Sequence, residues 1–189
     1  MSLQVHPLTP ELWADLERLF GPRGAYGGCW CMWFRLTRKE NAANGGRENR
    51  AAMKRLVDER REPGLIAYVD TRPAGWVSLG PRSDFAHLER SRTFKRVDDR
   101  PVWSIVCFVI DKQHRRRGLM AQLLGAAIAY AREHGAPALE AYPIEPAGDL
   151  SGYKGYTGIA SVFRRAGFSA AARAANGRPI MRLELGAGR

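Results

Sequence analysis

The turn Gln113-His114-Arg115-Arg116-Arg117-Gly118 separates an apolar run, "VCFVI", from an apolar helical segment, "LMAQLLGAAIAYAREHG". The first amides of a helix have no partner inside it and sit at the positive end of its dipole. A glycine there lets an anion come close to the backbone. Three arginines add positive charge and donors. Together these residues describe a site for a pyrophosphate. The Gly-Lys-Ser/Thr ending of a P-loop and the three spaced glycines of a dinucleotide fingerprint are both lacking. A merely solvated turn is the competing reading, but this turn lies between two elements that read as buried and opens a helix.

A second chemically dense stretch is "GGCWCMWFR", Gly27 to Arg35. Cys29-x-Cys31 offers two zinc ligands with no second pair, Cys107 falls in a strand and the four histidines are dispersed, so no metal is expected. A one-residue spacer is not the usual redox pair. Trp30, Met32, Trp33 and Phe34 carry too much apolar surface to leave in water. Two readings stay open: packing beneath the following helix, or a substrate-facing wall built on Trp30 and Trp33. Cys107 reads as core rather than nucleophile.

These stretches must be held by regular elements. Residues 3–8 alternate and predict a strand. "TPELWADLERLFG" predicts a helix with Thr9 as cap, Pro10 in its first turn and Leu12, Trp13, Leu16, Leu19 and Phe20 inward. Arg47 to Arg61 predicts a polar helix with Ala51, Met53, Leu56 and Val57 inward. "GLIAYVD" and "AGWVSLG" form a hairpin about Thr71-Arg72-Pro73. Residues 81–100 are charged and irregular, with a helical turn near Phe85 and Leu88 at most. Pro101 to Ile110, apolar on both faces, predicts a central strand. The long helix follows with Leu119, Leu123, Leu124, Ala127, Ile128 and Ala131 at helical spacing. Then come a short strand, "PALEAYPI", a loop, the helix "IASVFRRAGF" and a hairpin turning at Asn176-Gly177. The order is β-α-α-β-β-β-α-β-α-β-β, an α/β fold, with no internal repeat or linker. One domain over residues 1–189 is expected.

Composition narrows the class further. The chain is 45% hydrophobic and 26% charged, as a globular protein is. No run approaches the ~18 apolar residues of a membrane span. An odd, low count of three cysteines, with no secretory segment in evidence, points to a reducing cytoplasm. The net charge of +11 attracts polyanions. Helix-turn-helix, zinc-finger and RNA-platform patterns are missing, however, so a nucleic acid partner is not expected.

Arg115-Arg116-Arg117-Gly118-Leu119-Met120 resembles the Arg/Gln-x-x-Gly-x-Gly/Ala motif of the GNAT superfamily of acetyl-CoA-dependent N-acetyltransferases, with Met120 where Gly or Ala is usual. "FRRAGF", Phe163 to Phe168, is similar to the aromatic-x-x-x-Gly-Phe end of that family's last helix, and the element order agrees along nearly the whole chain. The resemblance implies a three-layer α/β/α sandwich around a mixed, mostly antiparallel sheet. It implies that the backbone of Phe108, Val109 and Ile110 pairs with the pantetheine arm of acetyl-CoA. It implies that the amides of Arg115, Arg116, Arg117, Gly118, Leu119 and Met120 hold the pyrophosphate. Direct acetyl transfer to an amine of a small molecule or peptide follows, without a metal. Many members dimerise, so a homodimer is among the implied partners.

The same resemblance raises a difficulty. Many members carry a tyrosine as general acid four residues before the Gly of Gly-Phe, where this chain has Phe163. Amine attack needs a neutral nitrogen, and the leaving thiolate benefits from a proton. Glu140 is the candidate base and Tyr156 the candidate acid, with Ser161 and Tyr153 as further donors. Tyr142, on the strand with Glu140, is a candidate substrate contact, and Leu139 and Ala141 should face away from both. Glu145 and Asp149, in a tyrosine-rich loop, suit a cationic amine. The alternative function is a binding module of this fold that holds CoA without turnover.

Overall fold

The structure, a computed structural model, describes residues 2–146 and 155–186. Its centre is the strand that the apolar run predicts, β4 (Trp103–Ile110). Around it stand β1 (Leu3–Pro7), β2 (Gly64–Val69), β3 (Arg72–Pro81), β5 (Ala138–Ala141), β6 (Ser169–Arg173) and β7 (Pro179–Glu184). The seven strands form one sheet in the order β1-β2-β3-β4-β5-β7-β6. Only β4 and β5 are parallel; the other neighbours are antiparallel. A parallel pair needs a crossover, supplied here by the long helix α5 (Leu119–Glu133).

The helices in chain order are α1 (Trp13–Phe20), α2 (Arg38–Ala43), α3 (Gly46–Asp58), α4 (Ala86–Glu89), α5 and α6 (Ala160–Arg165). Two apolar clusters separate them. Trp13, Leu16, Phe20, Met53 and Val57 pack with Ile66 and Trp76 on one side of the sheet. Leu119, Leu123, Leu124, Ala127 and Phe163 pack with Val77, Ile105 and Phe108 on the other. This is the three-layer sandwich. Gly75 on β3 lets α5 approach, since a Cβ there would come within 2.8 Å of Leu123.

Several local expectations need correcting. Helix α2 is an additional element, closed by a capping box in which the Thr37 side chain accepts from the Glu40 amide and Glu40 bonds the Thr37 amide. On α3 Ala51 is exposed rather than inward, and Asn49 is buried with Met53 and Val57, its Nδ2 donating to the Gly28 carbonyl at 3.0 Å. Within residues 81–100, α4 and a single turn at Arg82–Asp84 are ordered around a buried arginine. Strand β5 is shorter than the apolar run and ends at Ala141. Among the described residues no helix is long and apolar enough to cross a membrane.

Candidate active site

Strands β4 and β5 pair only through Trp103–Leu139, Ser104–Glu140 and Ile105–Ala141. Beyond that point β4 continues to Ile110 while the other chain leaves the sheet, so the two part in a V. Inside it, the Phe108 amide donates to the Tyr156 carbonyl at 2.6 Å. Arg115 Nε donates to the Ile110 carbonyl at 3.2 Å. Two polar groups on this edge of β4 are therefore engaged by the protein's own chain.

At the mouth of the V the strand bulges. Ser78 on β3 pairs with Cys107 and Leu79 with Ile105, which leaves Val106 as an extra residue. The bulge turns Val106 and Cys107 to the same side of the sheet, where both line a cavity of about 200 Å³. Cys29, Cys31, Trp33 and Phe34 form one wall, and Tyr26 and Tyr156 close it with ring centroids 6.3 Å apart.

Local bonds and strained backbone shape that wall. Trp30 and Cys31 are consecutive non-glycine residues with φ of 37° and 53°. Such a conformation persists only where the surroundings enforce it. Here Asn41 Nδ2 donates to the Trp33 carbonyl at 2.9 Å, and the His87 amide donates to the Phe34 carbonyl at 3.1 Å. The turn sends neighbouring side chains in different directions. Trp30 stacks on Trp13 and packs against Phe20 in the core, so its expected place on a substrate wall is corrected. Trp33 is 47% exposed and lines the cavity.

The three thiols meet at this cavity. Cys31 Sγ lies 3.5 Å from Cys107 Sγ and accepts from Trp76 Nε1 at 2.9 Å. Burial pushes the Cys31 thiol well up. The bond to Cys31, then burial, raises the Cys29 thiol as well. Neither is a thiolate nucleophile at neutral pH. Tyr26, which the sequence reading did not single out, is also pushed up, first by burial. Among the described residues no cluster of His, Cys, Asp or Glu is arranged to hold a metal.

At the far end of β4 the arginine turn opens α5. Asp111 accepts from the Gln113 amide at 2.9 Å and anchors the turn. Gly118 takes φ 79°, and a Cβ on it would meet nothing within 4 Å. Among the described residues, no group of the protein takes the amides of Arg115 to Met120. Arg115, Arg116 and Arg117 are exposed and in no ion pair there. Six consecutive free amides beside three guanidinium groups that no carboxylate neutralises among the described residues form a cradle for a phosphate group.

Other candidates lie elsewhere. Glu140 is 1% exposed, 2.7 Å from Arg182 Nη2 and 3.4 Å from Arg82 Nη1. Tyr142 is fully buried, bonded to Glu140 at 3.1 Å and to Ser104 at 3.1 Å. Neither lines the cavity. The β5 alternation is as expected, with Leu139 and Ala141 in the opposite cluster from Tyr142. Phe163 is fully buried against Phe108 and Phe168. Ser161 is exposed on α6, and Glu145 pairs with Arg164 and Arg173. Tyr153 and Asp149 lie outside the described residues.

A carboxylate held by two arginines has a structural consequence. Removing one partner of a buried ion pair typically costs about 3–5 kcal/mol. Glu140→Gln should therefore lose about 3 kcal/mol in urea unfolding, while turnover per folded molecule stays within twofold. A hundredfold fall in kcat with unchanged stability would return Glu140 to the role of base.

Comparison with known proteins agrees with this geometry. No curated protein matches the sequence. Solved structures of similar fold include a paia N-acetyltransferase from Thermoplasma acidophilum in complex with coenzyme A, 14% identical over 97% of this chain and 99% of that one, TM-score 0.56. A GNAT family acetyltransferase from Brucella melitensis in complex with acetyl-CoA is 14% identical over 100% of this chain and 91% of that one, TM-score 0.51. A GCN5-related N-acetyltransferase from Kribbella flavida is 15% identical over 89% of this chain, TM-score 0.51, and this chain spans only 33% of its length. The family model for the acetyltransferase (GNAT) family matches residues 30–148, which run from the cavity wall through β4, the arginine turn and α5 to beyond β5. With that match over more than half of its length, laid on a sheet that splays at its one parallel pair, this chain belongs to the acetyltransferase (GNAT) family.

Proposed function

We propose that the protein, as one domain over residues 1–189, moves an acetyl group from acetyl-CoA directly to an amine. One observation carries the reading: a single strand links the two halves of such a site. β4 leads through the arginine turn to the free amides of Arg115 to Met120 and, at its bulge, lines the cavity with Val106 and Cys107. In this reading those amides hold the pyrophosphate, and Arg115 to Arg117 neutralise it. The β4 edge at Phe108 to Ile110 receives the pantetheine arm, which requires the Tyr156 carbonyl to move off the Phe108 amide. The thioester then lies beside the bulge, and the acceptor occupies the cavity with Trp33 on its wall.

The chemistry assigned to the chain is modest. The amine nitrogen bonds the thioester carbon, the carbon–sulfur bond breaks, and the nitrogen loses a proton to solvent water. Tyr156 gives a proton to the departing sulfur and regains one from solvent. Three free cysteines suit a reducing cytoplasm. A binding role without turnover is the second reading, favoured by the buried phenyl of Phe163.

Thermal unfolding with acetyl-CoA tests the first step. At ~100 times the dissociation constant, a ligand of the native state stabilises it by ~2.7 kcal/mol. No stabilisation at millimolar acetyl-CoA would overturn the assignment. Thiol release with amines present then separates an enzyme from a binding module.

A further inference from the structure

The cavity beside the bulge is apolar to an extent that bears on the acceptor. Trp33, Phe34 and Val106 are hydrocarbon surfaces, and the remaining lining is three thiols and two phenols. The Cys29, Cys31 and Tyr26 side chains are held neutral at pH 7. Among the described residues no carboxylate lines this wall. Of the acidic groups raised as candidates, Glu140 is committed to Arg82 and Arg182 and Glu145 to Arg164 and Arg173, while Asp149 lies outside the described residues. Arg115 acts on Tyr26 with a positive charge, and the whole chain carries +11.

The geometry points to an acceptor that is a small, weakly basic aromatic amine of the aniline class, uncharged at neutral pH. This rests on the acetyl-transfer reading above. An alkylammonium entering this wall would shed its hydration with no carboxylate among the described lining residues to meet it. Even after relaxation, that costs several kcal/mol. The aromatic faces return ~0.5–2 kcal/mol by cation–π attraction, which does not offset it. An aniline is neutral before it enters and presents a ring to Tyr26, Trp33, Phe34 and Tyr156. Its nitrogen needs no base to become nucleophilic, and among the described residues the lining itself holds no carboxylate or imidazole. Size points the same way. About 200 Å³ falls below the ~300–1,000 Å³ of pockets for drug-sized ligands, and suits a single ring rather than a peptide or polyamine. Trp33 is the one large apolar side chain left exposed among the described residues, which suits a wall completed by a ligand.

Thiol release from acetyl-CoA by the full chain, with aniline, benzylamine, spermidine and a lysine peptide at pH 6 to 9, tests this. Aniline should give the highest kcat/KM at pH 7, with a flat pH profile. Benzylamine should be at least ~100-fold poorer at pH 7 and gain about tenfold per pH unit below its pKa, tracking its neutral fraction. Trp33→Glu places a carboxylate on the wall, at an exposed position that does not threaten folding. It should shift the aniline-to-benzylamine ratio about tenfold toward benzylamine. Preference for spermidine or the peptide, with aniline inert, would overturn the inference while leaving acetyl transfer intact. Silence of all four amines, with acetyl-CoA still raising the unfolding temperature, would remove the transfer reading and this inference together.

Discussion

Gly118→Glu should abolish acetyl-CoA binding while leaving the fold in place. Gly118 stands in the left-handed region at φ 79° at the start of α5. A side chain there costs roughly 1–2 kcal/mol of backbone strain. It meets no neighbour, since nothing lies within 4 Å of a Cβ. For a chain of this length 1 kcal/mol is worth about 2–4 °C of unfolding temperature, so the variant should melt only a few degrees early. The effect on the ligand is far larger. The carboxylate would sit among the free amides of Arg115 to Met120, in the place proposed for the pyrophosphate. It would compete for those donors and repel the incoming charge. A loss of at least ~100-fold in affinity, about 2.7 kcal/mol, is expected in calorimetric titration. Gly118→Asn is the matched control, because asparagine tolerates this backbone and is uncharged. It should keep affinity within about tenfold of the parent. Equal weakening in both variants would assign the effect to backbone strain and remove the anion site from Gly118.

The difference between what was legible in the sequence and what was not follows the range of the interactions. The strand–turn–helix at residues 103–133 could be read because each part is local: an apolar run, a glycine and a helical stripe. The capping box at Thr37 and Glu40 was equally local, but α2 lacks an apolar stripe, so hydrophobic periodicity passed over it. The bulge at Val106 is a matter of register between β3 and β4, and no pattern within "VWSIVCFVI" marks it. Glu140 alternates correctly on β5, yet Arg82 lies 58 residues earlier and Arg182 lies 42 later, so the ion pairs that bury it were invisible. The two tryptophans of "GGCWCMWFR" part because Trp30 and Cys31 are left-handed. The core takes Trp30 over Gly24, where any Cβ would strike the indole, and the cavity takes Trp33. Composition required that some of this apolar surface be buried. Tertiary packing decided which.

Tyr156→Phe is expected to lower kcat by about 100-fold, the lower end of what a positioned proton donor contributes, with little change in the KM for acetyl-CoA. The family position for the acid is closed in this chain, since Phe163 is fully buried between Phe108 and Phe168. A hydroxyl added there would enter a packed core without reaching the cavity. Two phenols do reach it. Burial, reinforced by neighbouring thiols, pushes Tyr26 above the ordinary range. Tyr156 sits on the segment whose carbonyl meets the Phe108 amide, two residues along β4 from the bulge at Val106. Its backbone is thus tied to the strand on which the thioester is proposed to lie. The variant keeps the ring, its approach to Tyr26 and that carbonyl, so a packing defect is not the expected outcome. Stopped-flow thiol release should show a slower chemical step at unchanged acetyl-CoA affinity. In Tyr26→Phe the same measurement should change less than fivefold. If the large loss falls on Tyr26→Phe instead, the proton comes from the opposite side of the cavity. If neither variant slows release, the thiolate departs unprotonated, and an aniline-class acceptor would then carry the reaction on the neutrality of its own nitrogen.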